Sequence, residues 1–111
     1  MLASVGPLRA ADLAGAYSVE GQNAGDQRLY RGELTITPIG QVYRVVWRIG
    51  NGENVGTGIV QNDMLAVVYV QQGKAGIALY EVRRDGVLSG TWTIHGTQNV
   101  GSETLTPKNR T

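Results

Sequence analysis

Along most of this chain, apolar and polar residues alternate one for one. Between Arg28 and Thr37, Tyr30, Gly32, Leu34 and Ile36 share one face while Arg31, Glu33, Thr35 and Thr37 share the other. A period of two marks a β-strand buried on one side. The same alternation sets Tyr43, Val45, Trp47 and Ile49 against Arg44, Val46 and Arg48. Gly50-Asn51-Gly52 then tolerates positive φ, and the chain returns through Val55, Thr57 and Ile59 as the second arm of a hairpin. Ahead of these, Asp12 is placed to cap at most one helical turn, and Tyr17 to Gly21 reads as a first strand ended by the loop Asn23-Ala24-Gly25-Asp26. Met64 to Val70 is a fifth strand, apolar on both faces, which predicts that something covers its outer side. Ala75 to Arg84 follows as a sixth, and Asp85-Gly86 is a hairpin signal leading into Leu88, Gly90, Trp92 and Ile94. After His95-Gly96-Thr97-Gln98-Asn99, Val100 to Thr106 forms the last strand, turning Gly101, Glu103 and Leu105 to one face.

About eight short strands joined by tight turns, with no helix between any pair, define an all-β, up-and-down antiparallel meander. An open meander exposes two edges, and closure removes both. The expected fold is therefore a single small β-barrel over residues 13–107, with a two-sheet β-sandwich as the alternative. Residues 108–111 form a polar tail. For residues 1–12 two readings stay open: the remnant of an export signal, or a plain leader, disordered or briefly helical.

Composition narrows the functional classes. Ten basic and nine acidic residues nearly cancel, so no broad field favours nucleic acid. With no cysteine and one histidine, thiolate metal sites are out of reach and no other ligand spacing appears; no metal and no cofactor is expected. No run of about 18 apolar residues exists to cross a membrane as a helix. The stretch GNGENVGTG at residues 50–58 lacks the lysine-hydroxyl ending of a phosphate loop and reads as a turn.

Individual side chains offer little chemistry. His95 can be combined on paper with Ser89 or Ser102 and with Asp85 or Glu103, but no nucleophile motif supports the set, and a loop histidine is the simpler reading. Arg31, Arg44 and Arg48 share an outer face with Glu33 interleaved, as expected of a solvated sheet surface. Glu103 points inward by its neighbours Gly101 and Leu105, and a buried carboxylate needs hydrogen bonds or a counter-charge. Glu20 carries the same ambiguity. The inner face also collects Tyr17, Tyr30, Tyr43, Trp47, Tyr69, Tyr80 and Trp92 beside Gly32, Gly56, Gly58, Gly90 and Gly101. Such a mixture is how small barrels fill themselves, which leaves at most a shallow pocket at one mouth. Its ligand-binding candidates are Tyr17, Tyr43, Trp47, Tyr80, Trp92 and Glu103. Outside, Val68, Val70, Ile77 and Leu79 on strands five and six form a candidate apolar interface.

With GAYSVEG at residues 15–21, YRGELTI at 30–36, YRVVWRIG at 43–50, VGTGIV at 55–60, LYEVRRDGVLSGTWTI at 79–94 and VGSETLTP at 100–107, the chain resembles the small exported proteobacterial proteins often labelled fibronectin-binding. More distantly, its G-x-Tyr opening and the Gly-Thr-Trp of a late strand are similar to avidin-like and lipocalin-like barrels. The first resemblance implies a periplasmic or secreted location, with the cytoplasm as the alternative, and a non-enzymatic interaction barrel of the cell envelope; the apolar patch on strands five and six would make it self-associating or the holder of a protein partner. The second implies a carrier of a small apolar or aromatic ligand at the barrel mouth; it carries over no biotin-binding residue. An enzyme using Glu103 or His95 ranks last.

Overall fold

The computed structural model describes residues 13–108; the leader proposed for residues 1–12 and all but the first residue of the polar tail lie outside that range. Eight strands follow in chain order: β1 Gly15–Gln22, β2 Leu29–Ile39, β3 Val42–Ile49, β4 Gly52–Gln61, β5 Met64–Gln71, β6 Lys74–Val82, β7 Leu88–Ile94 and β8 Gly101–Pro107. Each pairs antiparallel with its neighbours, and β1 meets β8 from Tyr17↔Pro107 to Gln22↔Ser102, so the sheet closes into the expected barrel. Closure pairs both edges of the meander, which an open sheet or sandwich leaves exposed.

Four connections are two-residue hairpins, at residues 40–41, 50–51, 62–63 and 72–73. In the last, Gln72 and Gly73 both take positive φ, 52° and 79°, the backbone that matches a hairpin turn to strand twist. The Asp85-Gly86 connection is longer than a two-residue turn: residues 83–87 form it, with Arg83 donating its backbone N–H to Val87 and Asp85 Oδ1 accepting from Val87 N. Because the barrel runs up and down, the connections at 23–28, 50–51, 72–73 and 95–100 all fall at one end. The chain entry, the other connections and the exit fall at the opposite end.

That opposite end is filled. Leu13, Tyr17, Ile36, Tyr43, Leu65, Leu88 and Leu105 are all buried there, and the Tyr17 hydroxyl donates to the Leu13 carbonyl at 2.8 Å. Toward the end with the longer loops the packing changes. Tyr30 lies on Gly21, Tyr69 on Gly76, Tyr80 on Gly90 and Trp92 on Gly101, in each case the directly paired residue of the next strand. A glycine without Cβ lets a ring settle against the strand that pairs with it. The expectation of an interior plugged by its aromatics therefore holds for one half of the barrel only.

Outside, Glu20 pairs with Arg31 at 3.2 Å and Arg48 with Glu53 at 3.1 Å, while Lys108 meets Glu33, so the arginine face is interleaved with acids as a solvated sheet surface. Glu20 thus faces outward. The apolar outer face of β5 is not covered by any described residue: Val68 is 56% exposed. Val68 pairs with Ile77 and Ala66 with Leu79, and Val70 lies on the same face; with Ile59 of β4 they form one contiguous patch. No helix among the described residues is long and apolar enough to cross a membrane.

The ring-on-glycine packing can be tested at Gly90. A Cβ there would stand 2.6 Å from Tyr80 Cδ1 and also press on the Leu79 carbonyl, so it must displace the strand or the ring. Gly90→Ala is expected to lower the unfolding free energy by about 1–3 kcal/mol in urea titration. A change within about 0.5 kcal/mol would mean that the ring does not need its glycine.

Candidate functional site

The wall aromatics leave a cavity of about 480 Å³ at the end with the longer loops. Tyr30, Trp47, Tyr69, Tyr80 and Trp92 supply its rings, Ile49 and Ala78 its aliphatic wall, and Asn23, Asn54, Gln71 and Gln72 its polar rim. Trp47 and Tyr69 pack at 5.1 Å between centroids, tilted by 52°, and Tyr30 stands edge-on to Trp92 at 6.4 Å. Each cluster joins strands that are not neighbours in the sheet, so the rings brace the open half of the barrel from inside.

At the base sits Glu103, 5% exposed, projecting inward from the middle of β8. Its Oε1 accepts from the Tyr80 hydroxyl at 2.5 Å and from Trp47 Nε1 at 3.0 Å; its Oε2 accepts from the Tyr30 hydroxyl at 2.6 Å. The donors come from β2, β3 and β6, so one carboxylate ties four strands together. An indole N–H can only donate, which fixes Oε1 as an acceptor. Burial first, and then the charge of Glu103, push the Tyr80 and Tyr30 hydroxyls well above their ordinary value, so both keep their protons and remain donors. The Trp92 indole N–H, sealed from solvent and without a partner of good hydrogen-bond geometry among the described residues, offsets a little of the Tyr30 rise. Tyr69, which faces the same space, is pushed up to about 12 by burial and then by Glu103.

Of the six candidates read from the sequence, Trp47, Tyr80, Trp92 and Glu103 come together around the cavity. Tyr17 and Tyr43 do not. Each begins a strand at the end where the chain enters, so register carries both into the filled half, against Leu13 and beside the paired Gly58 respectively. Tyr30 and Tyr69 take their places in the lining. Counting the turns of an up-and-down barrel separates the two pairs, because every odd-numbered connection sits at the same end. The enzyme constellation is not assembled. Asp85 precedes β7 and the exposed His95 follows it, a full seven-residue strand or roughly 20 Å apart, and Ser89 and Ser102 are exposed on the outer face. Among the described residues no three of His, Cys, Asp and Glu cluster in a way that could hold a metal ion.

Fold and cavity together define a small closed antiparallel barrel, filled at one end and hollow at the other. No protein-family model matches the chain, and a search of curated proteins finds no match. Solved structures do match in fold. A redesigned beta barrel, mFAP1, bound to DFHBI, superposes with a TM-score of 0.72 at 16% identity, over 87% of this chain and 96% of that one. A point mutant of the fluorescent protein UnaG superposes with a TM-score of 0.57 at 12% identity, over 92% of this chain and all of that one. These matches agree with the distant likeness to lipocalin-like barrels and lend nothing to the fibronectin-binding resemblance.

Two outcomes follow from the Glu103 cluster. Tyr80→Phe keeps the ring and removes one donor to a buried carboxylate, so it should cost about 2 kcal/mol in urea unfolding; a neutral result would show that Tyr80 is not needed there. The second concerns alkali. Tyr69 ionises at about 10 when unfolded and about 12 when folded, so its contribution is intact below 10 and is lost as pH rises toward 12. Tyr30 and Tyr80, also raised, act in the same direction. The urea midpoint should fall between about pH 9 and about pH 11.5, and the fall should be smaller in Tyr69→Phe.

Proposed function

We propose that this protein binds a small organic molecule in the cavity bounded by Trp47, Tyr69, Tyr80, Trp92 and Glu103. The observation that carries the reading is the cavity itself: about 480 Å³, walled by five aromatic rings around a single inward carboxylate. Ligand sites of ordinary size span roughly 300–1,000 Å³ and combine apolar walls with a few convergent polar groups. The rings supply a broad apolar surface, and Glu103 supplies a fixed polar anchor whose three hydrogen bonds pre-set its orientation. The mFAP1 barrel, similar in fold, holds the small molecule DFHBI, which supports the same use of the architecture here. The envelope interaction role rests on the fibronectin-binding resemblance and the exposed β5–β6 patch, and no match supports that resemblance; the cavity gives the ligand reading the stronger basis.

Both tryptophans of the chain line the cavity, so their fluorescence is a direct reporter. A panel of small aromatic dyes, DFHBI among them, is expected to include compounds that shift or quench it saturably. Ala78 is 1% exposed and belongs to the lining. Ala78→Leu should occupy part of the space and weaken such binding by ~10-fold or more while the protein remains folded by circular dichroism. If no dye changes the wild-type emission, or if the folded Ala78→Leu variant binds as well as wild type, the cavity is not a binding site.

A further inference from the structure

Charge inside the cavity is one-sided. Among the described lining residues, Glu103 and Glu53 are the ionisable acids, and no lysine, arginine or histidine joins them. Glu53 meets Arg48 at 3.1 Å on the exposed side of the wall. Among the described residues Glu103 accepts from neutral donors, Tyr30, Tyr80 and Trp47. Neutral donors solvate a buried carboxylate but do not cancel its charge, so an opposite charge beside it would add to what they supply.

Acceptor capacity points the same way. A carboxylate offers about four lone-pair positions. Two hydrogen bonds reach Oε1 and one reaches Oε2, which leaves one position on Oε2 unfilled among the described residues. The surrounding rings strengthen the preference, since an aromatic face carries negative quadrupole density and attracts a cation within about 6 Å of its centroid. An anionic ligand would find the Glu103 carboxylate and five ring systems, and no cationic side chain among the described lining residues.

From this placement we infer that the cavity's ligand is an organic ammonium ion, an aromatic or apolar body bearing a protonated amine that donates to Glu103 Oε2 and sits among Tyr30, Trp47, Tyr69, Tyr80 and Trp92. The inference rests on the small-ligand reading above and specifies its chemistry. The ammonium supplies the missing counter-charge, and the body covers the apolar wall. The neutral amide rim of Asn23, Asn54, Gln71 and Gln72 adds no charge of either sign.

Three probes of matched shape separate charge from size: naphthylethylammonium, naphthylethanol and naphthylpropanoate, titrated into wild-type protein by calorimetry at neutral pH. The ammonium is expected to bind at least ~30-fold more tightly than the alcohol, with the propanoate weakest. Glu103→Gln, which keeps the shape and removes the charge, should bring the ammonium and the alcohol to within about 3-fold of each other. Should that variant fail to fold, the wild-type ratio of ammonium to alcohol decides alone. An alcohol or propanoate that binds wild type as tightly as the ammonium overturns the charge inference and leaves the small-ligand reading standing. If none of the three binds while dyes of the earlier panel do, the ammonium inference alone falls; if neither set binds, both fall.

Discussion

A large ring inside a narrow barrel must lie either across the lumen or along the wall, and four of the five rings that line the cavity are laid against a glycine on the paired strand. Tyr30, Tyr69, Tyr80 and Trp92 each have a glycine as direct cross-strand partner, and each covers that glycine. The backbone surface that a missing side chain exposes is thereby shielded, and the ring is held against the sheet. In the other half of the barrel, Ile36, Leu65, Leu88 and Leu105 are buried together with Tyr17 and Tyr43. Rings laid on glycine border the cavity, while aliphatic side chains are buried at the opposite end.

Glu103 depends on those rings. With the rings along the wall, the hydroxyls of Tyr30 and Tyr80 and the indole of Trp47 converge on one carboxylate near the barrel axis. The arrangement is costly in principle, because a desolvated acid without a counter-ion is among the least favourable groups to place in a protein interior. Its three donors offset much of that cost and tie β2, β3 and β6 to β8. The same donors hold the acid in one orientation toward the cavity, so the group that stabilises the open half is also its polar anchor. Stability and recognition therefore draw on the same atoms, and the tyrosine protons couple both to alkaline pH.

Much of the architecture was legible in the order of residues. Alternation located most strands to within about two residues, as at Met64 and Leu88, and the Gly-Asn-Gly turn marked a reversal. The inward direction of Glu103 followed from Gly101 and Leu105 two positions away. Other features did not follow so directly. Tyr17 and Tyr43 carry the same residue type and the same inward parity as Tyr30 and Tyr69, yet lie at the opposite end. Parity assigns a face, whereas position along the axis depends on register and on which end each turn occupies. The apolar outer face of β5, expected to be covered, is open among the described residues because no element packs on that side.

The sequence by itself determined the strands and most of the residues that face inward, and favoured a closed barrel over a sandwich, since these depend on local alternation, turn chemistry and the need to remove sheet edges. Tertiary structure alone decided that the cavity lies at one end, because position along the axis depends on register and on which end each turn occupies. It also brought Tyr30, Trp47 and Tyr80 to Glu103 from positions 73, 56 and 23 residues away. No local pattern encodes such a meeting; it is a consequence of register around a closed sheet.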